Sequence, residues 1–351
     1  MSHDYKMVQW NPFKKRFDVW MLSGVALYLV SFITLTYATQ PEGNSFTPIQ
    51  AMIRATGTLA FLMLNFILCI GPLARFSHRF RPFLYNRRHI GVTTFLIALV
   101  HGGLVLLWYH GFSETNAFVS LFISNPRYDS ISGFPFEVLG FIALIIMFLM
   151  AATSHDFWNA NLGPGIWKAL HMSVYVAYGL LVAHMALGAL QFEKRPIFFL
   201  VLGTGAGTVI LLHLVSSIAS LRISDRIGHE GWLRVAEVRE LEDKRAKIIR
   251  PVDGDAIAVF RDGDRIAAVS NICRHQGGPL GEGKVVDGCI TCPWHGFQYR
   301  MEDGQSPPPF TEKIATYATR IMNGTVYVNP KPNPPGTPQA PSEVGGSNEQ
   351  G

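Results

Sequence analysis

Residues 273–296 read CRHQGGPLGEGKVVDGCITCPWHG, a short stretch in which cysteines and histidines are interspersed with glycines. Cys273 precedes His275 by two positions, and after sixteen intervening residues Cys292 precedes His295 by three. Two thiolates and two imidazoles on paired loops can hold either a tetrahedral zinc ion or a 2Fe-2S cluster with cysteine on one iron and histidine on the other. The spacing therefore predicts a metal centre and leaves the choice between the two metals open.

The sequence around this stretch predicts a small all-β domain. Short alternating segments such as AIAVF at 256–260, RIAAV at 265–269 and TVYVN at 325–329 are separated by DGD, DG and NG turns, a pattern typical of strands. We place this domain at residues 222–330. The final segment, 331–351, has many prolines, glycines and polar residues but no apolar pattern, and it predicts a disordered tail.

The first two thirds of the chain predict a bundle of membrane-spanning helices. The mean hydropathy of +0.20 and the hydrophobic content of 48% are high for a soluble protein and low for one that is membrane throughout. An apolar run needs about 20 residues to cross a bilayer as a helix. Residues 1–17 are the expected amino-terminal segment, and 18–221 are the expected six-helix domain. The six runs lie at 18–38, 52–73, 90–110, 134–153, 167–189 and 197–221.

The distribution of charge predicts which side of the membrane holds the termini. The formal net charge is +5, but residues 1–221 contain 14 Lys or Arg against 8 Asp or Glu, whereas residues 222–351 contain 16 against 17. A basic excess in short connections between apolar runs is typical of membrane topology and argues against a nucleic-acid partner. Most of these basic residues fall on one side, which predicts cytoplasmic termini. They are Lys6, Lys14, Lys15, Arg16, Arg75, Arg79, Arg81, Arg87 and Arg88.

The metal-binding stretch resembles the Rieske ferredoxin family. NICRHQGGPL and CPWHGFQYRMEDG match the family's two cluster-binding loops, and residues 230–330 match its length and strand-rich pattern. The resemblance implies a 2Fe-2S cluster with Cys273 and Cys292 on one iron and with His275 and His295 on the other.

Differences between this sequence and two other groups of Rieske proteins indicate which kind of Rieske domain it resembles. High-potential Rieske proteins of respiratory quinol complexes have an additional cysteine in each loop, but here glycines occupy the first loop and Trp294 the second. The resemblance is thus to the ferredoxin type, with a potential toward the low end of a range of roughly −150 to +300 mV. Beyond the two expected ligands, the soluble part contains only His229, too few histidines for an oxygenase iron triad. Cys289 lies outside the pattern and is interpreted as a strand cysteine.

Histidines recur in the apolar runs, where an ionisable side chain is costly and usually functional. At 1.5 Å per residue, His101 lies about 20 Å from the cytoplasmic end of its run and His184 about 24 Å, so their depths match. His89 and His171 match near the cytoplasmic end in the same way. We therefore expect two haems, one above the other, each held by two histidines.

These runs resemble the ferric reductase-like transmembrane family, and within it the haem-binding subunit of the bacterial periplasmic methionine sulfoxide reductase system. The matching segments, within residues 50–190, are ATGTLAFLMLNFILCIGPLAR, RRHIGVTTFLIALVHG and LHMSVYVAYGLLVAH. The resemblance implies haem b and assigns ligand roles to His101, His171 and His184, whereas His89 has no counterpart in the family. A single haem, with His171 in a supporting role, is the alternative.

Other features of the apolar runs are interpreted as structural. His110 ends its run and is expected at the interface, while His213 is expected to pack between helices. GTGAGT at 203–208 lies inside the last run, where small residues favour close helix packing over a nucleotide loop. His171 and His184 are thirteen residues apart and do not fall on one ideal helix face, so we expect a local distortion between them.

Together these features predict transmembrane electron transfer. The resemblances imply that a cytoplasmic reductase loads the Rieske cluster and that haem b passes electrons to a periplasmic acceptor protein. The protein is then a multi-pass protein of the bacterial inner membrane, in contact with membrane lipid, with both termini in the cytoplasm. Two alternatives stay open: a terminal reductase of ferric iron or oxygen at the outer face, and a redox-sensing membrane module without net current.

Overall fold

The computed structural model describes residues 12–39, 46–154, 156–192, 196–221, 231–251, 254–275, 277–294 and 296–345. Its first part is helical, and its second part, from residue 231, is built of short strands. The predicted combination of an apolar helical part with a small β-rich domain is confirmed.

The described helices correspond closely to the apolar runs. They are α1 (Pro12–Ala38), α2 (Pro48–Phe76), α3 (Arg81–Tyr85), α4 (Arg87–Val105), α5 (Ala117–Ile123), α6 (Phe136–Ala152), α7 (Asp156–Met172), α8 (Val174–Leu187), α9 (Ala189–Phe192) and α10 (Pro196–Leu221), and a π-helical turn (Leu106–His110) continues α4. Five helical stretches are long and apolar enough to span a membrane: Lys14–Ala38, Pro48–Phe76, Arg87–His110, Ile166–Leu187 and Pro196–Ile218. The remaining predicted run, 134–153, corresponds to α6, which has 17 residues. Six crossings therefore stay a prediction.

Helix α2 is the most enclosed of the five long helical stretches. The Thr47 side chain accepts a hydrogen bond from the Gln50 backbone N–H, while the Gln50 side chain accepts one from the Thr47 N–H. This capping box satisfies two amides that a helix start otherwise leaves unpaired. In the most apolar 18-residue stretch of α2, 56% of the residues are buried inside the protein, whereas in the corresponding stretch of α1 only 6% are. Helices α1, α4 and α10 pack around α2.

A polar contact inside the bundle joins α2, α8 and α10. The Tyr178 hydroxyl donates to Asn65 Oδ1 at 2.7 Å, and Asn65 Nδ2 donates to the Phe61 carbonyl at 2.7 Å. A Cβ atom at Gly205 would lie 2.9 Å from Asn65 Oδ1, which is too close for any other residue without a shift. Close helix packing is therefore the role of this glycine in the GTGAGT segment, as the sequence predicts.

The fifth predicted run is not one continuous helix. Helices α7 and α8 meet at Ser173, whose N–H donates to the Leu170 carbonyl at 3.1 Å. A bond to the third preceding residue tightens the backbone relative to an α-helix. The local distortion expected between His171 and His184 is thus present as a helix break.

The described residues of the β domain form three antiparallel sheets. Its strands are β1 (Leu233–Glu237), β2 (Ala246–Ile249), β3 (Ile257–Asp262), β4 (Arg265–Ser270), β5 (Lys284–Val286), β6 (Cys289–Thr291), β7 (Gln298–Arg300), β8 (Thr316–Tyr317), β9 (Thr319–Met322), β10 (Thr325–Val328) and β11 (Ser342–Glu343). The first sheet has the order β1-β10-β9, the second β11-β4-β3-β2 with β8 also on β4, and the third β5-β6-β7. Because alternate residues of β3 and β4 point to opposite faces, they fill two separate cores, and one of these contains Cys273 and Cys292.

The prediction of a disordered tail from residue 331 is wrong for residues 331–345. Ser342 and Glu343 pair with β4, the Asn333 N–H donates to the Thr316 carbonyl at 2.9 Å, and the Gly336 N–H donates to the Ile314 carbonyl at 3.1 Å. We call residues 331–345 the strap. Backbone hydrogen bonds hold it in place, and because these need no apolar periodicity, the sequence pattern does not reveal it. The rest of the predicted tail, 346–351, lies outside the described residues.

Candidate metal centres

The first predicted metal loop is a tight turn closed by two backbone hydrogen bonds. The Gly277 N–H donates to the Cys273 carbonyl at 2.7 Å, and the Cys273 N–H donates to the Gly278 carbonyl at 2.9 Å. Gly277 has a φ of +68°, a conformation that other residues rarely adopt. A Cβ atom at Gly278 would lie only 2.9 Å from the Cys292 sulfur, so glycine is needed where the two loops meet.

The second loop repeats the same turn. The Gly296 N–H donates to the Cys292 carbonyl at 3.0 Å, the Cys292 N–H donates to the Phe297 carbonyl at 2.8 Å, and Gly296 has a φ of +73°. His295, the predicted ligand of this loop, lies outside the described residues. The two loops are thus equivalent in backbone hydrogen bonding, although in sequence they share only the position of the cysteine and that of the glycine four residues later.

Three of the four predicted cluster ligands meet in one buried core. Cys273 is 1% exposed, Cys292 2% and His275 7%, and neither cysteine forms a disulfide. The His275 ring stacks on Phe297 with 5.0 Å between centroids and an interplanar angle of 7°, and its Nδ1 atom is buried. Two enclosed sulfurs, an oriented imidazole and glycine turns are the donor set and the backbone shape that fit a 2Fe-2S cluster.

Tyr299 belongs to this site, and the motif pattern did not identify it. Its hydroxyl lies 3.5 Å from the Cys273 sulfur and accepts a hydrogen bond from the Arg274 N–H at 2.9 Å. Burial and the neighbouring Cys273 raise the pKa of Tyr299 far above its usual value, so the phenol keeps its proton. Since the oxygen already accepts from Arg274, that proton is available to the Cys273 sulfur. The sequence did contain a signal for it: in GFQYR (296–300), Phe297 and Tyr299 are two residues apart and so point to the same face of a strand.

Cys289 lies in β6, opposite Arg300 of β7 and Val286 of β5. Burial raises the pKa of its thiol, with a further contribution from Glu302. Its pairing with residues on both neighbouring strands makes it a regular strand residue of the β5-β6-β7 sheet. The interpretation of Cys289 as a structural cysteine agrees with this environment.

His101 and His184 are held by backbone carbonyls of neighbouring helices. His101 Nδ1 lies 2.9 Å from the Ile53 carbonyl of α2, and His184 Nδ1 lies 2.8 Å from the Phe136 carbonyl of α6. A carbonyl only accepts hydrogen bonds, so the proton of each neutral ring is on Nδ1 and the lone pair on Nε2. Two such nitrogens fit the axial positions of a haem.

His171 lines a cavity of about 250 Å³ at the end of the bundle that faces the β domain. Its Nδ1 donates to the Trp167 carbonyl at 3.0 Å, and its ring stacks on Trp167 at 3.7 Å. The buried Nε2 of His171 has no hydrogen-bond partner among the described residues. Three cationic side chains share the lining of the cavity, so it suits an anionic group: Arg87, Arg88 and Lys168.

His89 faces a different neighbour from its predicted partner His171. Its Nδ1 lies 2.7 Å from Asp18 Oδ1 of α1, and it is not among the residues that line the cavity. The described contacts therefore place His89 against α1. Its role as an axial ligand stays a prediction.

The two remaining histidines of the apolar runs make contacts that suit structural roles. His110, in the π-helical turn, is buried with Nδ1 2.9 Å from Ser120 Oγ and Nε2 3.8 Å from Glu137 Oε2. His213 Nδ1 donates to the Val209 carbonyl at 2.8 Å, and its Nε2 lies 3.0 Å from the Tyr175 hydroxyl.

The second cluster loop lies against the membrane part. Trp294 packs onto an apolar cluster in the helical part and also lines the cavity that contains His171. A Cβ atom at Gly296 would be 4.0 Å from the Tyr85 ring. Nearby, Arg75 Nε donates to Glu282 Oε1 at 3.3 Å. The buried members of the apolar cluster are Ile67, Ile70, Ala74, Leu84 and Ile90.

Comparisons with known proteins match the two parts separately. Residues 231–318 match the Rieske 2Fe-2S domain, and residues 56–182 match the ferric reductase-like transmembrane component. The chain is 42% identical over 74 residues to the anthranilate 1,2-dioxygenase ferredoxin subunit of Burkholderia cepacia, which covers 21% of this chain and 68% of that protein. It is similar to the protein-methionine-sulfoxide reductase heme-binding subunit MsrQ of Herminiimonas arsenicoxydans (29% over 189 residues, 53% of this chain and 80% of that protein). The same subunit of Caulobacter vibrioides is 30% identical over 153 residues, covering 43% of this chain and 67% of that protein.

Proposed function

Because this chain belongs to the Rieske 2Fe-2S domain family through residues 231–318 and to the ferric reductase-like transmembrane family through residues 56–182, we propose that it conducts electrons from a cytoplasmic donor to a periplasmic acceptor protein. The β domain binds a 2Fe-2S cluster and the helical part binds haem b. Each group, when bound, takes up and releases one electron at a time. The residues of the chain hold these groups, orient them and keep water away.

In the β domain, Cys273 and Cys292 are the proposed ligands of one iron, and His275 and His295 those of the other. The equivalent backbone turns around the two cysteines support this assignment. Their burial also supports it, because a thiol pair enclosed by apolar side chains and not joined as a disulfide suits a metal centre.

In the helical part, His101 and His184 are the residues that would hold one haem b. Nδ1 of each ring donates its proton in a hydrogen bond to a backbone carbonyl. Nε2 of each ring is therefore left to bind the iron. His171 is the proposed ligand of a second haem in the cavity. The cations Arg87 and Arg88 support this second site, because propionate groups pair well with guanidinium groups.

The observation that most strongly supports the proposed path is the position of Trp294. It precedes the proposed ligand His295 in the chain, and it lines the same cavity as His171. The second cluster loop therefore contacts the helical part directly, so an electron leaving the cluster needs no diffusing carrier to reach the membrane.

The proposed orientation places both termini and the β domain in the cytoplasm of a bacterium and the helices in its inner membrane. Arg75, which contacts Glu282 of the β domain, lies in the last turn of α2, at the start of a basic segment that continues with Arg79, Arg81, Arg87 and Arg88. Basic connections face the cytoplasm, so this contact supports a cytoplasmic β domain. We retain residues 1–17 as an amino-terminal segment, 18–221 as the membrane domain and 222–330 as the core of the Rieske domain.

The proposed partners are a cytoplasmic reductase and a periplasmic protein. The relatives of the helical part are named as heme-binding subunits of a protein-methionine-sulfoxide reductase. A subunit of that kind acts with a separate protein, and by extension we propose a protein acceptor outside the membrane for this chain.

Sided proteoliposomes test the proposal. A membrane-impermeant low-potential reductant is added on the side of the β domain, and the haem Soret band and the cluster EPR signal are followed. We expect haem reduction to follow cluster reduction and to become slow in His275→Ala, which loses a cluster ligand, but not in His229→Ala, the matched soluble histidine. Equal haem reduction in His275→Ala and in the unaltered protein would contradict the path.

The same vesicles separate the acceptor classes. Oxidation of the haem only when a periplasmic protein fraction is added to the opposite side supports a protein acceptor. Rapid oxidation by a ferric chelate or by oxygen alone identifies a terminal reductase instead. A haem that stays oxidised while the cluster is reduced excludes a conduit and favours a redox-sensing module.

A further inference from the structure

The two histidines proposed as haem ligands are held by the same local arrangement. His101 Nδ1 bonds the Ile53 carbonyl, and a Cβ atom at Gly57, four residues further along α2, would lie 2.8 Å from His101 Cε1 and 2.9 Å from its Nδ1. His184 Nδ1 bonds the Phe136 carbonyl, and four residues further along α6 comes Gly140. There a Cβ atom would lie 2.8 Å from both Cε1 and Nδ1 of His184.

The sequence spacing of this arrangement is also repeated. In both cases the carbonyl residue precedes its histidine by 48 positions. The helix pairs involved, α2 with α4 and α6 with α8, pack more extensively than any other pair of described elements. Each pair therefore contributes one histidine in an equivalent way, although the sequences of the two pairs are not visibly repeated.

Helix geometry explains why glycine is required. Residues four apart lie on one face of a helix, one turn from each other. A ring that bonds the carbonyl of the first residue therefore lies over the second. In real proteins a Cβ atom essentially never lies within 3.0 Å of a heavy atom outside its own residue and its chain neighbours. A methyl group at that position would therefore displace the ring and stretch its hydrogen bond.

This contact distinguishes the two glycines from others in the described helices. Gly103 and Gly179 lie on the ligand helices α4 and α8, close in sequence to the histidines, yet a Cβ atom at either would meet nothing within 4 Å. Glycine as such is therefore not the common feature. The shared property is an imidazole that occupies the space of the missing side chain and bonds a carbonyl one turn earlier.

We propose that Gly57 and Gly140 are positioning residues of a duplicated histidine clamp, in which a carbonyl fixes the ring tautomer and a glycine leaves room for the ring beside a haem. This proposal rests on the haem ligation proposed above. The clamp orients Nε2 of each histidine, and neither glycine touches the iron itself.

Haem content and spin state test the clamp in the purified full-length protein. Gly57→Ala and Gly140→Ala are expected to lose haem to the level of His101→Ala and His184→Ala respectively, or to replace the low-spin haem EPR signal by a high-spin one. Gly103→Ala and Gly179→Ala, the matched controls, are expected to keep the haem content and the low-spin signal of the unaltered protein. An undiminished Rieske signal reports that the β domain still folds.

The outcomes separate the clamp from the ligand assignment. If His101→Ala and His184→Ala lose haem but Gly57→Ala and Gly140→Ala keep it with an unchanged low-spin signal, the clamp is overturned and the ligands stand. If the histidine variants also keep their haem, the ligand assignment fails, and the clamp fails with it.

A double-variant comparison covers the case in which Gly57→Ala folds poorly. Removing the imidazole removes the atoms with which the new methyl group collides, so the effects of neighbouring changes are not additive. We expect the thermal stability of Gly57→Ala combined with His101→Ala to equal that of His101→Ala alone. A double variant that is less stable than His101→Ala by the full effect of Gly57→Ala overturns the clamp.

Discussion

Tyr299 shows how a residue outside the ligand motif acts on a metal site. Its hydroxyl is positioned by the Arg274 N–H and lies 3.5 Å from the Cys273 sulfur. Reduction adds negative charge to an iron-sulfur cluster, and a hydrogen bond to a ligand sulfur stabilises that charge. The absence of the two additional loop cysteines found in high-potential Rieske proteins predicts a low reduction potential for the cluster. The Tyr299 hydroxyl is expected to raise that potential.

Removing this hydroxyl lowers the reduction potential of the cluster. For Tyr299→Phe we expect a decrease of about 40 mV, which corresponds to the loss of about 1 kcal/mol of hydrogen bonding in a one-electron couple. A redox titration followed by EPR measures the change. Tyr317→Phe, the same substitution in the other core of the domain, is the control and is expected to leave the potential unchanged. An unchanged potential in Tyr299→Phe would show that its hydroxyl does not act on the cluster.

The sequence identifies the proposed ligands better than it identifies the residues around them. Cys273, Cys292 and His275 follow from spacing and resemblance, and they meet in one core. Tyr299 and Gly57 act through contacts with residues distant in sequence, and a single sequence does not display such contacts. For the same reason, comparing how deep the histidines lie along their helices pairs His89 with His171 and does not predict its contact with Asp18.

At the scale of elements, apolar runs predict where helices lie but not where they end. The second run, 52–73, is part of a helix that extends over Pro48–Phe76, because Thr47 and Gln50 cap its start with polar side chains. The strap at 331–345 shows the same limit in the β domain. Polar and backbone contacts determine both features, and hydrophobic patterning does not record them.

The strap stabilises the β domain, and its removal tests this. A chain truncated after Pro330 loses β11 and backbone bonds such as those from Asn333 and Gly336, each contributing about 1 kcal/mol. We expect the cluster absorbance to disappear at a lower temperature on heating. Truncation after Gly345 leaves the strap in place and is expected to have no effect. Equal melting of both truncated chains would mean that the strap adds nothing to stability.

The β3–β4 hairpin contains a carboxylate whose contribution depends on pH. Asp262 accepts hydrogen bonds from Lys244 and, at 3.0 Å, from Arg265, and these partners, Lys244 first, lower the pKa of its carboxyl. A group whose pKa is lowered by folding adds stability above its unfolded pKa of about 3.9, and this stability is lost as the pH falls through the folded value.

Asp262→Asn should therefore reduce the melting temperature of the full-length protein's β domain at pH 7, with the difference from the unaltered protein shrinking below about pH 4. Melting followed by cluster absorbance across this pH range measures the effect. Asp264→Asn, an exposed position in the same turn, is the control. A difference that stays constant down to pH 3 would contradict the role of the charge.

At the scale of the whole molecule, the two parts were predictable and their contact was not. Composition separates the apolar helices from the alternating strands, and both family resemblances are confirmed. The interface joins residues such as Arg75 and Glu282, 207 positions apart. No local pattern records a contact of that kind, and it determines which face of the Rieske domain meets the membrane part.

Reversing one charge of this pair should slow electron transfer between the parts. In Arg75→Glu the new carboxylate faces Glu282, and we expect haem reduction by the cluster to slow by roughly five-fold, the order of effect of a partly exposed ion pair. Stopped-flow absorbance measures the rate. Adding Glu282→Arg should restore it, and Arg239→Glu, in an exposed pair away from this contact, should not change it. Cluster and haem potentials are expected to stay constant, and a rate unaffected by Arg75→Glu would contradict docking through this pair.

The contact of Trp294 with the helical part has a consequence for kinetics. A separate ferredoxin reaches its membrane acceptor at whatever concentration the cell maintains, whereas a domain joined to its acceptor by the same polypeptide has an effective concentration in roughly the millimolar range. On the proposed path, the step from cluster to membrane is first order and does not depend on how much protein is present. On that path, the supply of electrons to the cluster is the step that cellular conditions are left to control.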